Sequence, residues 1–298
     1  MAWAMWIGVF FGVLSCVSYA AAAVAQRRLA VRLTGLGEGR LAALLRHPLW
    51  WISIVFNAGR AVFQVASVAF APLTVVQPLG VLTLVIGVPW SARLGGRGVT
   101  RREWRGAGLT VIALGLLLAV TVTSGEGGVL DPADTVVLSV GTVALLSATA
   151  WIAHRFNSAA WRCYLLSAAA GVAFGVSAAT AKTAVLVIPE TGMSGLLDPS
   201  LPATAVIAVS GLFLAQGAYQ GMDLGAPLGI TTLVNPVAAS VVGVAFMGEA
   251  YAGGWIGIAV AVVCGLGAAY GIRLLTVGDT PEPRRPERDS EPETAPAP

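Results

Sequence analysis

Read along the chain, apolar residues fall into long runs broken by short clusters of charge, Gly and Pro. Nine of the runs approach the length of about 20 residues that a helix needs to span the hydrocarbon core of a bilayer. They lie near residues 3–25, 50–70, 74–92, 105–123, 135–153, 163–187, 203–222, 227–247 and 252–273. The pattern predicts an all-α membrane protein with about nine transmembrane helices. The first run lacks a basic segment before it and an evident cleavage site after it, so it reads as a retained span and not as a signal peptide.

Composition agrees with the pattern. The 298 residues are 56% hydrophobic and 11% charged, with a mean hydropathy of +0.79, which excludes an ordinary soluble domain. Charge then orients the spans, because short cytoplasmic loops carry the excess of Lys and Arg. Of the 18 basic residues, 16 follow spans one, three, five and nine: Arg27 to Arg46, Arg93 to Arg105, Arg155 with Arg162, and Arg273 to Arg288. The alternate loops hold Glu126, Asp131, Asp134, Glu190, Asp198 and Glu249 and no basic residue. The expected topology has the N-terminus outside and the C-terminus in the cytoplasm. The basic pI records that orientation and requires no nucleic-acid partner. Residues 277–298, which include "DTPEPRRPERDSEPETAPAP", are Pro-rich and charged, and are expected to be a disordered cytoplasmic tail. Arg outnumbers Lys 17 to 1. With the abundance of Ala and Gly, this points to a GC-rich bacterial genome and to the plasma (inner) membrane.

The polar residues within the spans form patterns of their own. On span two, Ser53, Asn57, Arg60, Gln64 and Ser67 recur at spacings of 4, 3, 4 and 3, so one helical face is polar and Arg60 is at its centre. That arginine is roughly 15 Å from either interface at 1.5 Å per residue, and must face protein, water or a ligand. Span seven groups Gln216, Tyr219, Gln220 and Asp223 at spacings of 3, 1 and 3. On span one Ser15, Tyr19 and Gln26 share a face; on span six Lys182 is the second intramembrane cation. Gln77-Pro78 in span three and Asn235-Pro236 in span eight are placed where proline frees a backbone carbonyl for a substrate, or merely kinks the helix. Two readings of Arg60 stand: it meets an anionic or zwitterionic substrate, or it hydrogen-bonds to groups such as Asn57 and Gln64 and ties helices together. Lys182 has the same two readings, and is near enough to the outer interface to snorkel or to meet Glu249.

Internal similarity divides the chain. "GVFFGV" at 8–13 matches "GVAFGV" at 171–176; "APL" recurs at 71 and 226, and "TVVQPLGV" from Thr74 matches "TLVNPVAA" from Thr232. "VIGVPW" from Val85 and "WRGAGLTV" from Trp104 align with "VVGVAF" from Val241 and "WIGIAVAV" from Trp255. These matches predict one transmembrane domain, residues 1–276, of repeat one (3–123), a linking helix (135–153) and repeat two (163–273). The odd number of helices between corresponding spans gives the repeats inverted topology, the 4+1+4 arrangement suited to alternating access.

The runs "NAGRAVFQVASVAFAPLTVVQPLGVLTLVIGVPW" and "EWRGAGLTVIALGLLL" resemble the first half of NIPA-type members of the drug/metabolite transporter superfamily. The run "AQGAYQGMDLGAPLGITTLVNPVAASVVGVAFMGEAY" is similar to that group and to the EamA branch, in which a proline-bearing helix ends in Gly-Glu. The resemblance covers all nine spans, and implies an inverted-repeat secondary carrier of small metabolites or drugs or, for NIPA-type proteins, of magnesium. The chain departs from the NIPA pattern at two acidic positions: it has Arg60 after Gly59, and it reads "ARLGGRG" after span three. A guanidinium in place of a carboxylate repels the cation that hard oxygen ligands would bind. Glu249 retains the late acid, and with Lys182 it is the candidate for coupling.

Candidate substrate contacts are therefore Asn57, Arg60, Gln64, Gln77, Lys182, Gln216, Tyr219, Gln220 and Asn235, with helix breaks at Pro78 and Pro236. Cys16, Cys163 and Cys264 read as small packing residues. His47 and His154 belong to no ligand pattern, so no metal site or cofactor is expected. With no phosphate loop and no nucleophile, base or metal cluster at depth, the chain is not expected to be an enzyme. Expected partners are a small-molecule substrate and membrane lipid, with no nucleic acid, the protein being a monomer or a homodimer.

Overall fold

A computed structural model describes residues 2–33, 40–70, 79–80, 82–96, 98–120, 129–191, 198–248 and 254–276. The described residues are helical and contain no strand. The helices are α1 (Ala2–Arg32), α2 (Arg40–Arg46), α3 (Pro48–Phe70), α4 (Leu82–Leu94), α5 (Arg101–Val120), α6 (Pro132–Arg155), α7 (Ala159–Thr191), α8 (Ser200–Ala218), α9 (Gly225–Phe246) and α10 (Gly254–Thr276). Five described segments are long and apolar enough to cross a bilayer: Met5–Arg32, Pro132–Arg155, Ala159–Val187, Ser200–Ala218 and Gly225–Phe246. The chain is thus a multi-pass helical membrane protein. Leu82–Leu94 and Val262–Leu275 are shorter apolar helices.

Local chemistry explains several boundaries. Helix α5 starts on a capping box, in which the Thr100 amide donates to Glu103 Oε2 at 2.6 Å and the Glu103 amide donates to Thr100 Oγ1 at 3.2 Å. Helix α6 opens with Pro132 and carries Arg155 in its last turn, where its charge suits the helix dipole. Helix α1 runs about two turns beyond the expected end of span one, because nothing in "QRRLAVR" breaks a helix. Its last turns therefore carry Arg27, Arg28 and Arg32 past the apolar stretch. The expected helical stripe of span seven is cut short instead. Helix α8 ends at Ala218, and Gly221, at φ +72°, turns the chain into α9. Tyr219, Gln220 and Asp223 accordingly belong to this connection and not to a helical face.

In lipid the hydrophobic effect does not draw helices together, so close packing of small residues has to. Helix α1 lies along α3, α7 along both α8 and α9, and α5 along α10, while α4 leans on α1 and α6 lies against α7 and α8. The tightest approaches are at glycine. A Cβ added to Gly175 on α7 would come within 2.5 Å of the Asn235 carbonyl oxygen on α9, and one on Gly106 of α5 within 2.7 Å of the Gly271 carbonyl oxygen on α10. A Cβ on Gly12 of α1 would meet Leu79 at 2.6 Å and Ser67 Oγ at 3.0 Å. The central core draws on helices from both ends of the chain, with Val24, Leu84, Leu114, Ala170, Leu228 and Ala268 among its buried members. Cys16, Cys163 and Cys264 are buried within the packing and form no disulfide.

Candidate functional site

The polar stripe of α3 faces α1. Its two ends, Ser53 and Ser67, are fully buried. Ser67 Oγ donates to the Gly8 carbonyl at 2.7 Å, which ties α3 to α1 where glycine leaves the backbone bare. Ser53 Oγ donates to the Trp50 carbonyl at 2.7 Å, and Asn57 Nδ2 donates to the Ser53 carbonyl at 2.9 Å. Asn57 thus directs an amide N–H to its own helix. Between these anchors Asn57, Arg60 and Gln64 are half-buried.

Two residues of α1 organise Arg60. Its guanidinium lies over the ring of Tyr19, 4.3 Å from the centroid. Ser15 Oγ is 3.0 Å from the Arg60 carbonyl and 3.2 Å from Gln64 Oε1 and donates toward both. That contact holds the oxygen end of the Gln64 amide toward α1 and leaves its NH2 end available. The guanidinium itself makes no hydrogen bond or ion pair among the described residues, so Asn57 and Gln64 are not its partners. A cation over an aromatic ring gains about 0.5–2 kcal/mol, whereas a central arginine costs about 2.5–3.5 kcal/mol on insertion scales. Stacking on Tyr19 does not cover that cost, and the guanidinium edge needs water or a negative group.

A second polar group joins α1 to α8. Gln216 Nε2 donates to the Gln26 carbonyl at 3.0 Å, and both side chains are buried. Gln216 Oε1 and Gln26 Nε2 are buried without a hydrogen-bond partner among the described residues. Arg27 and Asp223 pair at 2.8 Å beside them, and the Leu224 amide donates to the same carboxylate oxygen at 2.8 Å. Tyr219 is buried in the central core with Ala23 and Val24 of α1, and Tyr19 packs against the same core. Gln220 accepts from Arg162 Nη2 at 3.0 Å.

The structure therefore brings Arg60 and Gln64 together at Ser15 and Tyr19 of α1, and Gln216 to Gln26 about two turns further along it. Asn57 adjoins the first group. Gln220 is engaged by Arg162, Lys182 is on an exposed flank of α7, and Asn235, with Pro236, is half-buried against α7 within α9. Gln77, Pro78 and Glu249 lie outside the described residues. No cluster of three His, Cys, Asp or Glu side chains occurs among the described residues. Tyr19 and Gln26 belong with the candidate contacts although sequence reasoning left them out of that set; the signal was their shared face on span one with Ser15. Arg27 and Arg162 read from sequence only as orientation charges, and nothing local marks them as bridging residues.

No family model matches the chain, and no solved structure does. Part of the chain is similar to a magnesium transporter. That protein is magnesium transporter NIPA4 of Mus musculus, 31% identical over 91 residues, which is 29% of this chain and 22% of NIPA4. An uncharacterized protein of Corynebacterium glutamicum is 28% identical over 251 residues, covering 82% of this chain and 86% of that protein. The long match carries no function, and the functional match is short.

Proposed function

We propose that this protein is a secondary carrier, a permease of drug/metabolite transporter type, that moves a small anionic or zwitterionic organic solute by alternating access. The observation that carries the reading is Arg60, stacked on Tyr19 in mid-span with its N–H edge unused by the described protein. Donors dominate around it, since Gln64 has its oxygen engaged by Ser15 and its NH2 end available. An anionic group approaching this edge gains charge-assisted hydrogen bonds and removes the cost of the lone cation.

The proposed architecture is nine spans in two inverted repeats. It is supported by the way helices pair. The α1–α3 and α1–α4 contacts of the first half correspond to α7–α8 and α7–α9 in the second, and the mates α5 and α10 pack on each other. Matched glycines serve matched ends: Gly12 receives Leu79, and Gly175, its repeat mate, receives the Asn235–Ala239 backbone. On this reading the basic loops are cytoplasmic and the solute passes between the halves, near Arg60 and Gln216. Lys182 and Glu249 remain the proposed coupling groups. The chain is neither an enzyme nor a nucleic-acid binder and works as a monomer or homodimer in the plasma membrane.

Magnesium transport is the second reading, favoured by the NIPA4 match. The two require opposite charge at the centre of α3. In proteoliposomes loaded with a panel of anionic and zwitterionic metabolites, Arg60→Ala should reduce uptake of the transported solute roughly ten- to a hundredfold, the worth of charge-assisted hydrogen bonds. Arg60→Lys should retain part of it. Mg2+ flux that survives Arg60→Glu, with no organic solute moved, overturns the proposal in favour of the second reading.

A further inference from the structure

The contacts that join the first half to α8 are unevenly distributed along the bundle. Gln26 with Gln216, Arg27 with Asp223, and Trp50 with Phe213, whose ring centroids are 4.9 Å apart, all occur at the end where α1 carries its arginines. Leu29, Leu33 and Leu44 bury Trp50 and Leu212 in the same seam. Toward the opposite end the hydrogen bonds of these helices among the described residues stay inside one half, as in Ser67 to Gly8 and Thr180 to Thr204. The described contacts between the first half and α8 are thus gathered at one end.

We propose that this seam is a gate, closed in this conformation, whose latch is the Arg27–Asp223 ion pair and whose plug is Trp50 on Phe213. The inference rests on the carrier reading for its purpose, though not for its test. Three features distinguish a gate from a permanent joint. The latch joins side chains that are 23% and 13% exposed and lies past the apolar stretch of α1, so its two charges part at the end of the bundle and not in mid-span. Closure leaves Gln216 Oε1 and Gln26 Nε2 without hydrogen-bond partners among the described residues, a penalty that water entering an opened seam removes. The seam is also made of side chains, whereas the α5–α10 crossing between the halves is a backbone approach through Gly106 and Gly271. Rocking about α5–α10 would part the α8 seam first.

Cys163 is a native reporter, 1% exposed and next in the chain to Arg162, which holds Gln220 of the α8–α9 connection that carries Asp223. In a protein carrying Cys16→Ala and Cys264→Ala, reaction of Cys163 with a membrane-impermeant maleimide is measured from each face, in inside-out and right-side-out vesicles. Arg27→Ala and Asp223→Ala should each speed labelling from the basic face about fivefold, the scale of a partly exposed ion pair. The exchange of Arg27→Asp with Asp223→Arg should return the rate toward that of the parent. Unchanged rates in both single variants, acceleration from the opposite face, or an exchange variant as fast as the single ones would overturn the gate. Trp50→Ala adds a second arm that leaves the charges intact, and it too should speed labelling. Because labelling needs no substrate, a gate can be upheld where transport of an organic solute fails; parent-like labelling of the single variants beside active transport defeats the gate alone.

Discussion

At Arg60 the physical problem is a cation whose stacking energy falls short of its desolvation cost. Tyr19 contributes a ring face and not a hydrogen bond, which separates its role from that of its hydroxyl. Tyr19→Phe keeps the face and should leave solute affinity near that of the parent. Tyr19→Leu keeps bulk but removes the quadrupole, and should raise KM about threefold or more, with less change in maximal rate. Transport kinetics of the two variants in proteoliposomes check this, and equal KM values would remove Tyr19 from the site. Ser15 acts one step further away, by turning Gln64; intramembrane hydrogen bonds of this kind contribute about 0.6 kcal/mol on average, so its loss should matter for orientation more than for folding.

Between helices, glycines decide where backbones touch, and their surroundings separate those that matter from those that do not. Gly175 faces the Asn235 carbonyl and Ala238, so even a methyl group forces α7 from α9. Gly141 on α6 and Gly115 on α5 have open space around the position of a Cβ. Gly175→Ala should destabilise the bundle by about 1–3 kcal/mol, the usual cost of overpacking. Gly141→Ala should be neutral or slightly stabilising, since alanine is the better helix former. Thermal unfolding midpoints of the detergent-solubilised variants test the contrast, and equal midpoints would contradict the crossing geometry. The sequence marked Gly171 and Gly175 as part of a repeat; that they, and not Gly141, are the contact points required the partner helix.

For the molecule as a whole, the asymmetry of charge and the side on which the seam is closed belong to one question of orientation. Arg27, Arg162 and the α8–α9 connection meet at one end, as they should if the loops after spans one, five and seven share a side of the membrane. A cysteine placed at Gly127, in a loop with acidic and no basic residues, should label from outside intact cells, whereas one at Ser290 should require permeabilised cells. The reverse result would invert the topology and make the gate an outer one.

Much of this was legible in one dimension because the bilayer imposes a length and a polarity on each segment that crosses it. Long apolar runs and the polar stripe of α3 follow from composition at known spacing, and so did the candidacy of Arg60, Gln64 and Gln216. What the sequence could not determine is which polar groups satisfy one another. Asn57 turned to its own backbone and Gln220 to Arg162, while Lys182 was left on an exposed flank and Tyr19 came to lie under Arg60. Hydrogen bonds and ion pairs act over a few ångströms, so their partners depend on how helices cross, and the crossings depend on small residues whose surroundings only the tertiary structure assembles. The Arg27–Asp223 pair, 196 positions apart in the chain and 2.8 Å apart in space, is the clearest example.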